Sequence, residues 1–291
     1  MKRAAIIVGI LTIAVWASAQ TAGQSTQPAG AQTTPATGAA TPPVGKRPPQ
    51  AKTQPEFDLW KAASAGTDPA ALEKGSDDFA AKYPDSELRV LLYKNAMRQY
   101  QTANNAEKTE GMGRKLLAID GDDPEALSTV AEVIAEKTHD SDLDKDQRFD
   151  EAIKMAQKAT QTVETDLNVP AGTPQANVDA YKAFLLSTAY SAIGTIEFKK
   201  ENFVAAQGDL QKSIDVFPSN PDPVVVLRLA LALDKQDKYP DALKVANKAV
   251  ELTKDGTAVG TAARREQDRL QKLSQVSTPA PAPAASQPPK N

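Results

Sequence analysis

The chain has 291 residues, no cysteine and one histidine, with 34 basic side chains against 37 acidic ones. That inventory excludes disulfide staples, a lipid-modified N-terminal cysteine and a multi-histidine metal site. Between Pro55 and Val276 the balance is 28 basic and 37 acidic residues, a net of −9, which argues against nucleic acid as a partner because phosphate binding needs a basic face.

At the start, Lys2 and Arg3 precede the apolar run Ala4–Trp16 and the small residues Ala17-Ser18-Ala19. The run is 13 residues, short of the roughly 20 that span a bilayer. Residues 1–19 therefore read as an export signal cleaved between Ala19 and Gln20, leaving no stable membrane insertion. The alternative is an uncleaved N-terminus that anchors the protein at the inner membrane. The expected address is the periplasm or cell envelope, where a chain without disulfides is held by its core alone. Residues 20–54 are mostly Pro, Thr, Ala, Gln and Gly, with Lys46, Arg47 and Lys52 as the only charges. So little apolar surface does not offset the entropy of ordering, and the stretch is predicted to be a disordered linker. Residues 277–291, with Pro279, Pro281, Pro283, Pro288 and Pro289, are predicted to be a disordered tail for the same reason.

Residues 55–276 read as helices throughout. Glu56–Ala65 is a short one carrying Phe57, Leu59 and Trp60. Asp68 before Pro69 is a start signal for a helix that reaches Tyr83 and stops at Pro84. Ser86 is expected to cap the next, through Thr102, with Leu88, Leu91, Leu92, Ala96 and Tyr100 as its apolar stripe. Asn104-Asn105 breaks it, and a further helix ends near Ile119. Gly111 and Gly113 lie inside that helix, where each costs about 1 kcal/mol relative to Ala; close helix crossing is the expected reason. Pro124–Lys137 and a helix from about Arg148, with Phe149, Ala152, Ala156 and Ala159, flank an insertion at Thr138–Gln147. Irregular chain at Asn168–Gln175 leads into a helix from Ala176 to Lys199. Four helix pairs and a polar closing helix, Thr257–Gln275, are expected.

One pattern is written twice in Ser187–Leu252. Phe203, Ala206, Leu210, Ser213, Ile214 and Phe217, closed by Pro218, answer to Tyr239, Ala242, Ala246, Ala249, Val250 and Leu252. Ala206 to Ala242 and Ser213 to Ala249 are both offsets of 36 residues. Helix pairs of this kind bury their apolar faces only against stacked neighbours. The pattern resembles the tetratricopeptide repeat (TPR), whose period is about 34 residues. Gly194 and Ala230 match its small position midway along the first helix, and Phe203 and Tyr239 match its aromatic at the turn. Neither copy has the family's Trp or its turn glycine, and Lys254 stands where the second copy needs a helix-ending proline. The resemblance implies an all-α fold, a right-handed stack of antiparallel helix pairs forming a TPR-like α-solenoid. An unrelated antiparallel bundle is the alternative.

Asp140, Asp142, Asp144, Asp146 and Glu151 carry the spacing of an EF-hand calcium loop, with alternate carboxylates and a Glu at position 12. Lys145, however, stands where that loop needs glycine, and a solvated acidic loop ahead of a helix N-terminus explains the same residues. The lone His139 sits in this polar loop. No nucleophile elbow, zinc-protease motif or glycine-rich phosphate loop is present, so the chain reads as a non-enzyme without a cofactor. The resemblance implies instead a groove lined by first helices, with basic and amide side chains holding a peptide. Lys94, Asn95, Arg98 and Gln101 fit that role by type, with Lys94 and Arg98 one turn apart; a solvated face is their plainer reading. Arg228 stands amid Val224–Leu233 and calls for a carboxylate, from Asp234 or a neighbouring helix. The expected function is a protein- or peptide-binding scaffold of the envelope. The alternatives are an assembly subunit docking by its outer surfaces and a calcium-binding envelope protein. Oligomeric state is not legible in the sequence.

Overall fold

The computed structural model describes residues 46–170 and 172–276. The expected signal at 1–19, most of the linker and the tail at 277–291 lie outside the described residues. Within them the chain forms eleven α-helices and no strand. These are α1 (Gln54–Ser64), α2 (Pro69–Lys82), α3 (Arg89–Thr102), α4 (Ala106–Leu117), α5 (Pro124–Lys137), α6 (Lys145–Thr162), α7 (Gln175–Lys199), α8 (Phe203–Val216), α9 (Pro223–Asp234), α10 (Tyr239–Glu251) and α11 (Ala258–Val276). None is long and apolar enough to cross a membrane.

Local chemistry sets the helix starts. Thr53 and Glu56 form a capping box at α1, and Asp68, Asn105, Asp123 and Asp222 each accept a backbone N–H at the head of α2, α4, α5 and α9. A side-chain oxygen at that position satisfies a donor the helix leaves orphaned. Ser86 does not start α3 directly. Its hydroxyl accepts the Leu88 amide at 3.1 Å, and the helix begins at Arg89. The insertion is shorter than the sequence implied, because α6 begins at Lys145 rather than near Arg148.

The helices form a row. Each packs chiefly on its chain neighbours, and the other substantial contacts join helices two apart: α1 with α3, α5 with α7, α7 with α9 and α9 with α11. All of these are odd-numbered. The odd helices therefore form one layer of an α-solenoid and the even helices the other. The core follows the row as linked clusters. One joins α1, α2 and α3 around Trp60, Phe79 and Leu92. The next spans α2 to α5 around Met97, Met112 and Leu116. A third spans α5 to α7 around Ile134, Phe149 and Ile196, and the last runs from α8 to α11 around Leu210, Leu229 and Leu270. No single centre exists, which sets this fold apart from a bundle.

The small residues sit at the crossings. Ala206, Ala242, Ala246 and Ala249 are fully buried. Ser213, in register with Ala249, is buried too, and its hydroxyl donates to the Ser187 carbonyl at 2.7 Å. A Cβ built on Gly194 would lie 2.7 Å from Leu210 Cγ, and one on Gly113 would collide with Val130 Cγ2. Gly111 meets nothing within 4 Å, so close crossing explains only one member of that glycine pair.

The eleven helices make five pairs and a closing helix, one pair more than expected, and three of the five pairs turn alike. Asn104, Glu201 and Asp237 adopt φ of 56°, 60° and 57° after α3, α7 and α9. In each case the next amide donates back to the helix: Asn105 to the Tyr100 carbonyl, Asn202 to Glu197 and Lys238 to Leu233, at 2.9, 2.9 and 3.1 Å. This is a Schellman closure, whose left-handed residue is ordinarily glycine. A Glu or Asp there costs about 1–2 kcal/mol of backbone strain. Glu201→Gly and Asp237→Gly are each expected to raise the unfolding free energy by about 1 kcal/mol, read from thermal or urea midpoints. An unchanged midpoint would show that side-chain bonds such as Tyr239 Oη to Asp237 offset the strain.

Residues 46–53 correct the expected linker. They lie outside any helix but are bonded to the connections that precede α3 and α5, so the ordered body extends ahead of Pro55.

Candidate functional site

The odd-numbered layer carries the basic and amide residues singled out from sequence, and it holds two polar networks, one buried and one half-buried. In the first, Lys94 and Arg98 lie one turn apart on α3 and face the head of α5. Lys94 Nζ donates to Asp123 Oδ2 at 2.5 Å and lies 3.7 Å from Glu125 Oε2. Asp123 keeps its other oxygen on the Ala126 amide, at 2.9 Å, so one carboxylate caps α5 and pairs the lysine. Arg98 grips Glu125 with both prongs, at 2.5 and 2.7 Å, and Nη2 also donates to Tyr181 Oη of α7 at 3.1 Å. Burial pushes the Glu125 carboxyl up, but the charges of Arg98 and Lys94 and the hydrogen bonds from Arg98 and Tyr181 outweigh it and hold the group at about 2. The Tyr181 phenol is driven well above its ordinary value by its burial and by the Glu125 charge.

The carboxylates expected from a bound peptide are thus supplied from within the chain. Lys94 and Arg98 tie α3, α5 and α7 together instead of lying open on the face. Asn95 and Gln101 differ: both are half-exposed and have no side-chain partner among the described residues. The sequence pointed to the cations and missed their partners. Asp122-Asp123-Pro124-Glu125 reads as a helix start alone, and nothing in its spacing announces a pairing with residues 27 and 29 positions earlier.

The second network centres on Arg228 of α9. Its carboxylate comes from a neighbouring helix rather than from Asp234: the guanidinium donates to Glu136 of α5 at 3.0 and 3.2 Å, and to Thr195 Oγ1 of α7 at 2.6 Å. Asp234 pairs with Arg269 of α11. The even-numbered layer is tied in the same manner, by Lys108 with Glu73, Lys115 with Asp77 and Arg114 with Glu151.

The acidic insertion does not gather its carboxylates. Glu151 lies on α6 and takes a bidentate Arg114, at 2.7 and 2.9 Å. Asp142 accepts the His139 amide at 2.8 Å, and Asp140 pairs with Lys145 at 3.4 Å. Asp144 precedes α6 and Asp146 falls in its first turn. Among the described residues, no three His, Cys, Asp or Glu side chains group to hold a metal ion. The calcium reading is corrected on that geometry: the helix begins at Lys145, and this turns Glu151 away toward α4.

The insertion has a different consequence. It removes the Schellman turn from α5, and Lys199 at the end of α7 takes over. Its ammonium donates to the carbonyls of Ala135, Glu136 and Thr138 at 2.6, 3.0 and 2.9 Å. Burial lowers its pKa, partly offset by Glu136. Lys199→Met should leave those carbonyls unpaired and destabilise the protein by about 1–3 kcal/mol, read from urea midpoints. Faster amide exchange at the end of α5 would locate the effect.

Two open surfaces flank the layer. A cleft of about 660 Å³ at the turn edge is lined by Asn104, Glu107, Glu110, Val133, Lys137 and Arg148. The insertion next to α5 carries Leu143 fully exposed.

No family model matches the sequence, and no curated protein matches it. Among solved structures, the chain is similar to the assembly chaperone of RpL4 (Acl4, residues 1–338), at 12% identity and a TM-score of 0.39, over 76% of this chain and 99% of that one.

Proposed function

We propose that this protein is a non-enzymatic, TPR-like scaffold that binds a protein or peptide on the face of its odd-numbered helices. The observation that carries the reading is the pair of networks within that layer. Arg98 with Glu125 and Tyr181, and Arg228 with Glu136 and Thr195, lock alternate helices in fixed positions. A face fixed before binding loses little further freedom on association, so more of the contact energy appears as affinity. In this reading Lys94 and Arg98 shape the face from behind, while Asn95 and Gln101 meet the partner. The cell envelope is the proposed location, and it rests on the character of residues 1–19 in the sequence.

Photocrosslinking in intact cells tests the proposal. A crosslinker at Asn95 or Gln101 should capture one discrete partner, and one at Lys244 or Gln211 on the even-numbered helices should not. Capture confined to the even-numbered positions would favour an assembly subunit that docks by its outer surface. Reversing Lys94 and Arg98 to Glu is unsuited to this purpose, since it would crowd four carboxylates at the buried head of α5.

A further inference from the structure

The segment ahead of α1 is bound like a ligand. Lys46 Nζ donates to Asp120 Oδ1 at 2.6 Å. Arg47 Nη2 donates to both oxygens of Glu87, at 2.7 and 2.9 Å, and the Gln50 amide to Glu87 Oε2 at 3.3 Å. Lys52 Nζ reaches the Asp85 carbonyl at 3.1 Å. Asp85 and Glu87 belong to the connection before α3, and Asp120 to the connection before α5, so the seat spans the same edge of two consecutive helix pairs. Between the cations, Pro48 and Pro49 fix φ and carry no N–H, which keeps the chain extended without backbone donors of its own to satisfy. Ala51 completes the contact against the Trp60 and Leu88 cluster. All three charges of a segment otherwise poor in charge are used, and each meets an acidic side chain or a carbonyl.

We propose that the edge formed by Asp85, Glu87 and Asp120 is a docking surface for an extended, basic, proline-containing peptide, with Lys46–Lys52 as its resident occupant. The seat lies apart from the odd-helix face and stands whether or not that face binds a partner. Its specificity comes from the spacing of its cations, which sets Arg47 Nη2 on both Glu87 oxygens while Lys46 Nζ reaches Asp120 and Lys52 Nζ the Asp85 carbonyl. The ion pairs are half-exposed: side-chain exposures are 59% and 45% for Arg47 and Glu87, and 42% and 13% for Lys46 and Asp120. Pairs of that kind are individually weak and screened by salt. The Arg47 hydrogen bonds, against partial burial, hold the Glu87 carboxyl below its ordinary range. An occupant held in this way exchanges with a competitor of the same chemistry.

The test uses the full chain. Arg47→Ala leaves the bond from the Gln50 amide to Glu87 available, so exchange at that amide reports release of the whole segment. It should accelerate about tenfold or more in the variant, and in wild type when salt rises from about 0.05 M to about 0.5 M, with the amides of α2 and α3 unchanged. A fluorescent synthetic peptide of residues Lys46–Lys52 should bind the Lys46→Ala, Arg47→Ala chain more tightly than wild type, whose seat is filled. It should fail to bind when Glu87→Arg is added. Equal Gln50 exchange in wild type and Arg47→Ala would overturn the proposal, as would peptide binding indifferent to Glu87→Arg. Circular dichroism of each variant guards against misreading an unfolded chain.

Discussion

Arg98→Ala is expected to lower the unfolding free energy by about 3–5 kcal/mol, because it strands the buried Glu125 carboxylate without its partner. The measurement is the urea midpoint at unchanged slope. Joint replacement, Arg98→Met with Glu125→Leu, should recover most of the loss, since a buried pair costs as much to desolvate as its attraction returns. A single-variant loss below about 1 kcal/mol would mean that water screens the pair as it does at a surface. The acid limb follows from the same carboxyl. Its folded-state value is about 2 against an ordinary 4.5, so its contribution is complete above pH 4.5 and is lost as the pH falls through 2. That gap corresponds to about 3 kcal/mol. In Arg98→Ala the main opposing charge is gone, and the acid transition should move to higher pH.

Glycine positions in one fold should respond with opposite signs. A Cβ on Gly194 meets Leu210 Cγ at 2.7 Å, Cδ2 at 2.9 Å and the backbone nitrogen at 2.9 Å. A side chain can rotate away from such a contact, but a helix backbone cannot. Gly194→Ala is therefore expected to push α7 from α8 and destabilise by about 1–3 kcal/mol or more. Gly111 and Gly208 lie within helices with nothing inside 4 Å, so alanine there should stabilise by about 0.5–1 kcal/mol. Ala206→Trp and Ala242→Trp extend the first test, with losses of at least the Gly194 size. Thermal midpoints of this set decide the matter. If Gly194→Ala and Gly111→Ala shifted in the same direction, helix propensity would outweigh packing at the crossing.

The architecture was legible because it is local. The cap at Asp68, the stop at Pro84 and the aligned Ala206 and Ala242 act within a few residues or one repeat, and the structure places them as read. The missed features depend on distance. Glu125 and Tyr181 mean nothing to Arg98 in the sequence, 27 and 83 positions away, until stacking brings α5 and α7 beside α3. Conformation was hidden as well: Glu201 and Asp237 hold the left-handed position that a Schellman closure ordinarily gives to glycine, a strain no composition reveals. The acidic insertion misled for a related reason. Its alternate carboxylates mimic a calcium loop in spacing, but the helix starting at Lys145 fixes where Glu151 points.

The tie from Arg228 to Glu136 crosses an intervening helix, and so does that from Arg98 to Tyr181. A row of units coupled only to immediate neighbours unravels one unit at a time under load. Bonds that skip a unit lengthen the piece that must yield together. Pulled by its two ends, this protein should shed α10 and α11 readily, then resist and rupture from α3 through α9 in one long step.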